Sequence, residues 1–89
     1  MAALDLLGRR GALRLLWELR GEYPLTFRAL SAACELPPAT LNVRLKELRA
    51  SGIVAADAGY RLTPAGRELF NALMPLNDWA DRWAAGLSD

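Results

Sequence analysis

The chain has 89 residues, of which 53% are hydrophobic and 24% are charged. This length and balance predict one compact domain, and they exclude a disordered tail or a catalytic domain joined to a regulatory one. The sequence has no histidine and one cysteine, which excludes a zinc site of the usual Cys/His kind, an imidazole base and an internal disulfide. It also has no nucleophile–base pair and no phosphate-binding loop. We therefore expect no enzymatic activity and no cofactor.

The net charge of +1 is unevenly distributed along the chain. Residues 1–70 carry a balance of +3 and residues 71–89 a balance of −2. A basic body suits a domain that binds an anion, and scattered solvated charges explain the asymmetry equally well. No apolar run approaches the ~18 residues of a membrane span, and the first residues lack the basic-then-apolar order of a signal peptide. We therefore expect a cytoplasmic protein.

The first predicted helix covers about residues 3–20. Leu13, Leu16 and Trp17 repeat at helical spacing and predict an apolar stripe on it. Gly11 weakens the first part of this helix, and the segment before it could form a separate turn.

Two further helices follow. Thr26 is a good N-cap and predicts a second helix over about 26–34, and Pro38 begins a third over about 38–51, since proline is tolerated at a helix start. The buried side of the third helix is predicted to consist of leucines at helical spacing, namely Leu41, Leu45 and Leu48.

A hairpin and a last helix complete the order of elements. Two short apolar runs around the loop at 57–59 predict a two-stranded wing over about 53–62. Thr63 caps a fourth helix over about 64–86, in which Pro75 should bend or interrupt the helix. The core is predicted to be filled by leucines from every helix, namely Leu13, Leu16, Leu30, Leu41, Leu45, Leu48 and Leu69.

This order of elements is that of a winged helix-turn-helix domain, an α+β and mainly helical fold. A helix fits the major groove of double-stranded DNA, where asparagine pairs with adenine, arginine with guanine, and threonine or valine contacts the thymine methyl group. Arg28, Arg49 and Arg61 and the starts of two helices suit phosphate contacts. The predicted DNA-binding residues are Thr26, Arg28, Pro38, Ala39, Thr40, Asn42, Val43, Arg44, Lys46, Arg49 and Arg61.

A winged-helix module that binds another protein instead of DNA is the alternative. The nearly neutral overall charge favours it, as does a short wing in which Arg61 is the only basic residue.

The last helix ends in an apolar stripe at helical spacing, formed by Leu76, Trp79, Ala80 and Trp83. Two indoles left in water would make an exposed patch of a kind that monomers seldom tolerate. We therefore expect a homodimer through this C-terminal dimerisation helix, and the alternative is that the tryptophans fold back on the first helix. Cys34 lies on an apolar face with Phe27 and is predicted to be a small core residue, not a reactive thiol.

Four segments carry a more specific pattern, namely Leu13-x-Leu15-Leu16-x-x-Leu19, Phe27-x-x-Leu30, Thr40-Leu41-x-x-Arg44-Leu45-Lys46-Glu47-Leu48-x-x-Ser51-Gly52-Ile53-Val54, and Tyr60-x-Leu62-Thr63-x-x-Gly66-x-x-Leu69 with the later Pro75 and Trp79. This pattern resembles the HxlR family of bacterial transcriptional regulators, relatives of the MarR type. The resemblance implies a dimeric DNA-binding regulator of transcription, with room for an unidentified small-molecule effector between the dimer helices and the wing domain. The wing is shorter than in that family, and no cysteine precedes Cys34 to serve as its redox sensor.

Overall fold

A computed structural model describes residues 2–87, with side chains from residue 4 onward. Its elements, in chain order, are α1 (Ala2–Leu7), α2 (Ala12–Glu18), α3 (Phe27–Cys34), α4 (Pro38–Ala50), β1 (Val54–Ala56), β2 (Tyr60–Leu62) and α5 (Pro64–Leu87). The α+β, mainly helical winged helix-turn-helix fold expected from the sequence is confirmed. None of the helices within residues 2–87 is long and apolar enough to cross a membrane.

The prediction of one helix over residues 3–20 is wrong, because the chain turns between α1 and α2. Gly11 has a φ of +83°, in the left-handed region that glycine adopts without strain. A Cβ at this position would lie 2.5 Å from Cδ1 of Leu36, so even the smallest side chain would collide with the core. The glycine therefore separates two helices instead of weakening one.

Helices α3 and α4 are joined by a short turn that the sequence accounts for residue by residue. The Oγ1 atom of Thr26 accepts a hydrogen bond from the backbone N–H of Ala29 at 3.0 Å, which is N-cap geometry. Glu35 ends α3 with a left-handed φ of 53°, and two prolines then start α4. These two helices form the helix-turn-helix unit.

The wing is an antiparallel hairpin in which Val54 pairs with Leu62 and Ala56 with Tyr60. Leu25 adds a single bridge on the outer side of β2. Its N–H donates to the carbonyl of Tyr60 at 3.0 Å, and its own carbonyl accepts from the N–H of Tyr60 at 2.8 Å. The wing is thus tied to the segment that leads into α3.

The start of α5 is joined closely to the end of α4. The hydroxyl of Thr63 donates to the carbonyl of Gly52 at 2.5 Å and accepts from the N–H of Gly66 at 3.0 Å. A Cβ at Gly66 would overlap the carbonyl oxygen of Ile53, so the helix approaches that backbone as only glycine permits. The Thr-x-x-Gly spacing seen in the sequence is the signature of this joint.

Helix α5 continues through Pro75 and is not interrupted there. Proline removes the hydrogen bond to the carbonyl four residues earlier, at Asn71. Asn71 is exposed, so water can solvate the carbonyl that proline leaves unpaired.

The core lies between α2, α3, α4 and the wing. Its buried side chains are Ala12, Leu15, Leu16, Leu19, Leu30, Leu36, Leu41, Leu45, Leu48, Val54 and Leu62. The prediction that Leu13 belongs to this core is wrong, because its side chain is 53% exposed, and Leu69 is only partly buried against the core. The leucine-rich first segment offers two stripes at helical spacing, and the one through Leu15 and Leu19 packs inward.

Candidate nucleic-acid interface

Helix α4 has one apolar side and one exposed side. Leu41, Leu45 and Leu48 are at most 2% exposed and hold the helix against the core. Asn42, Val43 and Lys46, which lie on its other side, are exposed. An α-helix that packs against the core on one side and is exposed to solvent on the other is the form that enters a DNA major groove.

The structure leaves most of the predicted DNA-binding side chains open to solvent. Those that are exposed are Thr26, Arg28, Pro38, Ala39, Asn42, Val43, Lys46 and Arg49. Those that are partly buried are Thr40, Arg44 and Arg61.

Three basic side chains on the helix-turn-helix unit are uncommitted. Arg28 is in the first turn of α3, Lys46 is in the middle of α4, and Arg49 is in its last turn. Within residues 2–87, no ion pair holds any of the three. Their charges are therefore free to neutralise phosphates or to reach base edges.

Arg44 is held inside the protein by two partners. Its Nε donates to the backbone carbonyl of Arg10 at 2.9 Å, and its Nη1 donates to Oε1 of Glu47 at 2.5 Å. The side chain is only 17% exposed. In this conformation its guanidinium is directed toward the α1–α2 junction.

Arg61, the basic residue of the wing, is paired across the hairpin loop. Its Nη2 and Nε donate to the two carboxylate oxygens of Asp57 at 2.6 and 3.2 Å. These hydrogen bonds, and the positive charge of the guanidinium, lower the pKa of Asp57 below its ordinary value. The wing therefore presents a neutralised pair at its tip.

Sequence reasoning missed two acidic residues that form ion pairs with arginines predicted to bind DNA. Glu47 binds Arg44 and also lies 3.6 Å from Nε of Arg9, and Asp57 binds Arg61. The signal was present in the spacing, since Glu47 follows Arg44 by three residues on one helix and such pairs are neighbours. Asp57 and Arg61 are four apart, across a loop that turns the chain back.

The end of α5 carries the predicted dimer stripe in an exposed state. Trp79 and Trp83 are 52% and 55% exposed, and their rings stack with centroids 5.8 Å apart and planes 8° apart. They therefore do not pack against the N-terminal helices, which was the alternative expected from the sequence. Leu76 is also exposed, and Ala80 is half-buried.

An open apolar groove of about 470 Å³ lies beside this stripe, between α2 and α5. It is lined mainly by Leu13, Trp17, Phe70, Leu73, Met74 and Leu76. The ring of Trp17 packs at 6.1 Å from that of Phe70 and lies under the guanidinium of Arg20. The groove and the stripe form one apolar side of the molecule, which we call the α5 face.

Cys34 is partly buried against the core, in agreement with a packing role. Burial raises the pKa of its thiol, and the nearby carboxylate of Glu18 raises it further. The thiol is protonated at neutral pH and is a poor nucleophile.

Comparison with known proteins agrees with this geometry. A family model described as winged helix-turn-helix DNA-binding matches residues 12–55, the segment from α2 through most of β1. Among curated protein sequences, none matches the chain.

Several solved structures are similar over most of the chain. A possible HxlR family transcriptional factor from Thermoplasma volcanium is 27% identical, with a TM-score of 0.81 over 93% of this chain and 82% of that one. Quinone-bound YodB from B. subtilis is 29% identical, with a TM-score of 0.83 over 91% of this chain and 93% of that one. A MarR family protein from Mycobacterium tuberculosis is 27% identical, with a TM-score of 0.75 over 93% of this chain and 65% of that one.

Proposed function

Because the chain matches a winged helix-turn-helix DNA-binding model and is similar to solved HxlR and MarR family regulators, we propose that it is a transcriptional regulator that reads a specific duplex sequence with α4 as a homodimer. The observation that carries the proposal is the two-sided character of α4. Its leucine seam is buried in the core, while Asn42, Val43 and Lys46 are exposed on one continuous surface.

The exposed side of α4 offers chemistry for base edges. Asn42 can pair with the N6 and N7 atoms of adenine, and Lys46 can donate to the O6 and N7 atoms of guanine. Ala39 and Val43 are apolar and small enough to contact a thymine methyl group. A site rich in A·T pairs next to a guanine suits this set of side chains.

Phosphate contacts follow from the uncommitted basic side chains. Arg28 lies in the first turn of α3, where the backbone N–H groups also favour an anion. Arg49 lies in the last turn of the reading helix α4. These two arginines would bracket α4 along the DNA backbone. Arg61 contributes less, because Asp57 already holds it.

We also propose that two copies associate through the α5 face. Leu76, Trp79 and Trp83 are each more than half exposed on one stripe, and contiguous exposed apolar side chains often mark an interaction surface. A two-fold pairing buries the same stripe twice and places two reading helices on one side of a duplex, about one helical turn or 34 Å apart. We propose the apolar groove beside the stripe as the site of an apolar small-molecule effector. The proposed setting is a bacterial cytoplasm.

The test is to select preferred duplexes from a randomised pool with the purified full chain, and then to measure their binding by fluorescence anisotropy at two salt concentrations. Asn42→Ala should relax the preference at one A·T pair and weaken binding by about 1–3 kcal/mol. Arg49→Ala should lower the affinity for all sequences alike and reduce the salt slope by about one.

Asn71→Ala is the matched control, because Asn71 is an exposed helical asparagine on α5, away from the reading helix. It should bind as the wild type does. A wild-type chain that enriches no duplex would overturn the proposal, and an interaction module without DNA binding would then be the better description.

A further inference from the structure

The side of α4 that faces the N-terminal segment carries a small polar network. Glu47 is shared between two arginines. Its Oε1 accepts from Arg44 at 2.5 Å, and its Oε2 lies 3.6 Å from Nε of Arg9. Arg44 adds a hydrogen bond from Nε to the carbonyl of Arg10 at 2.9 Å. The reading helix is thus tied to the α1–α2 junction both through a backbone carbonyl and through an ion pair.

The junction that receives these bonds has little freedom of its own. Gly11 follows Arg10 directly and is held at φ +83°, with Leu36 packed against the place where a Cβ would be. The backbone N–H of Ala12 donates to the carbonyl of Arg9 at 3.1 Å and closes a tight turn. The junction therefore contacts the turn that precedes α4 on one side, through Leu36, and the flank of α4 on the other, through Arg44.

The network lies on one flank of the helix, where Arg44 is turned away from Asn42 and Lys46. Glu47 follows Val43 by four residues and shares its face. Successive residues of an α-helix are about 100° apart around its axis, so Arg44 is about 160° from Asn42. The leucine seam holds the helix by apolar contacts, which are not directional. The two polar contacts on one flank are directional and constrain the orientation of the helix about its axis.

We propose that Arg44 is a positioning residue for DNA recognition, one that fixes the roll of α4 so that Asn42, Val43 and Lys46 face the groove together. Arg44 itself reads no base in this arrangement. The inference rests on the proposed function, since a reading helix has to bind DNA for its orientation to matter.

The experiment uses the full chain and a duplex selected by the wild type. Dissociation constants are measured for that duplex, for variants changed at each base pair, and for an unrelated duplex, at two salt concentrations. The protein variants are Arg44→Lys, which keeps the charge but loses the planar fork, Glu47→Gln, which removes the anion, and their combination. Circular dichroism and stoichiometric titration of the active fraction separate misfolding from weaker binding.

Arg44→Lys and Glu47→Gln should each weaken binding to the selected duplex by about tenfold. The loss of preference should be spread over all base pairs of the half-site, because every base contact depends on the roll of the helix. For Arg44→Lys, which conserves the charge, affinity for the unrelated duplex and the salt slope should stay as in the wild type. The double variant should be no weaker than either single variant, since both break one network.

Three results would overturn the inference alone. Loss of preference at a single base pair in Arg44→Lys, with Glu47→Gln unchanged, would make Arg44 a base-reading residue. A loss of equal size for the selected and the unrelated duplex in Arg44→Lys would make it a phosphate contact. Binding as in the wild type would leave it no role in recognition. Failure of the wild type to bind any duplex is a separate result, seen before any variant is tested, and it would overturn the proposed function and this inference with it.

Discussion

Residues 11–66, which we call the recognition unit, and the far end of α5, residues 76–87, differ in how they place the same types of residue. Leu15, Leu30, Leu41 and Leu48 in the unit are fully buried, whereas Leu76 in α5 is 59% exposed. The unit also has glycines at points where a Cβ would strike the core or the backbone, while the end of α5 has a glycine with open space around it. The first region buries its apolar side chains within the chain, and the second leaves them exposed to solvent.

This difference shows which part of the chain can be stable alone. A small domain gains most of its stability from buried apolar surface, and the recognition unit buries a continuous core of leucines. The apolar side chains at the end of α5 are exposed within the chain, and the dimer proposed above would bury them. The core of the unit, not the helix end, therefore supplies most of the stability of the single chain.

The largest expected effect comes from removing the stacked indoles at the far end of α5. The double substitution Trp79→Ala and Trp83→Ala should weaken self-association by about 3 kcal/mol, or roughly a hundredfold, because large buried aromatics dominate interfaces. Sedimentation equilibrium over a range of protein concentrations measures this directly. Binding to a palindromic duplex should weaken at the same time.

Tyr23→Ala is the matched control for the loss of an exposed aromatic ring, since Tyr23 is 82% exposed in the loop before α3. It should leave self-association unchanged. A wild-type chain that stays monomeric at high micromolar concentration would contradict the proposed use of the α5 face.

A second prediction compares two glycines of the same helix. Gly66→Ala should cost about 2–3 kcal/mol of stability, because the added Cβ would overlap the carbonyl oxygen of Ile53 and force α5 away from the unit. Gly86→Ala has nothing within 4 Å of its new Cβ and should add about 0.5 kcal/mol by restricting the unfolded chain. Urea denaturation of the two variants measures both changes. Equal effects would mean that the two ends of α5 are packed alike.

The smallest effect belongs to the wing, where Asp57 and Arg61 hold each other at the surface. The pKa of Asp57 is lowered in the folded chain, so the pair stabilises the fold above the ordinary pKa of aspartate and ceases to do so as the pH falls through the lowered value. Titration of the Asp57 carboxyl carbon by NMR should give a lower midpoint in the wild type than in Arg61→Gln. Asp57→Asn should free Arg61 for a phosphate and make the salt slope of DNA binding steeper by about one. Identical midpoints in the two proteins would show that the pair is not formed in solution.

Much of the recognition unit could be predicted from the sequence, because its signals are local. Thr26 as an N-cap and Pro38 at a helix start mark the beginnings of α3 and α4, and the glycine-ended loop between two short apolar runs marks the wing. The spacing of Leu41, Leu45 and Leu48 gives the buried side of α4 because no competing apolar stripe exists on that helix.

The predictions failed where the local pattern fitted two possible buried faces, or where a contact distant in sequence determined the conformation. In α2, leucines occupy two stripes, and only packing against α3 and α4 selects the one that excludes Leu13. Gly11 did indicate a separate turn as an alternative, but its packing against Leu36, 25 positions away, cannot be read from neighbouring residues. The engagement of Arg44 depends in the same way on the carbonyl of Arg10, which no side-chain pattern reveals.

The hydroxyl of Thr63 also has a mechanical consequence. It joins the end of α4 to the start of a 24-residue helix, which is about 36 Å long at the usual rise per residue. The base of that helix is held by Thr63, by the close approach at Gly66 and by hydrogen bonds from Arg67 to the carbonyls of Arg20 and Gly21. One degree of tilt at this base moves the far tip by about 0.6 Å over this length. In the proposed dimer joined at the tips, the spacing of the DNA half-sites would therefore depend on the angle at which α5 leaves this base.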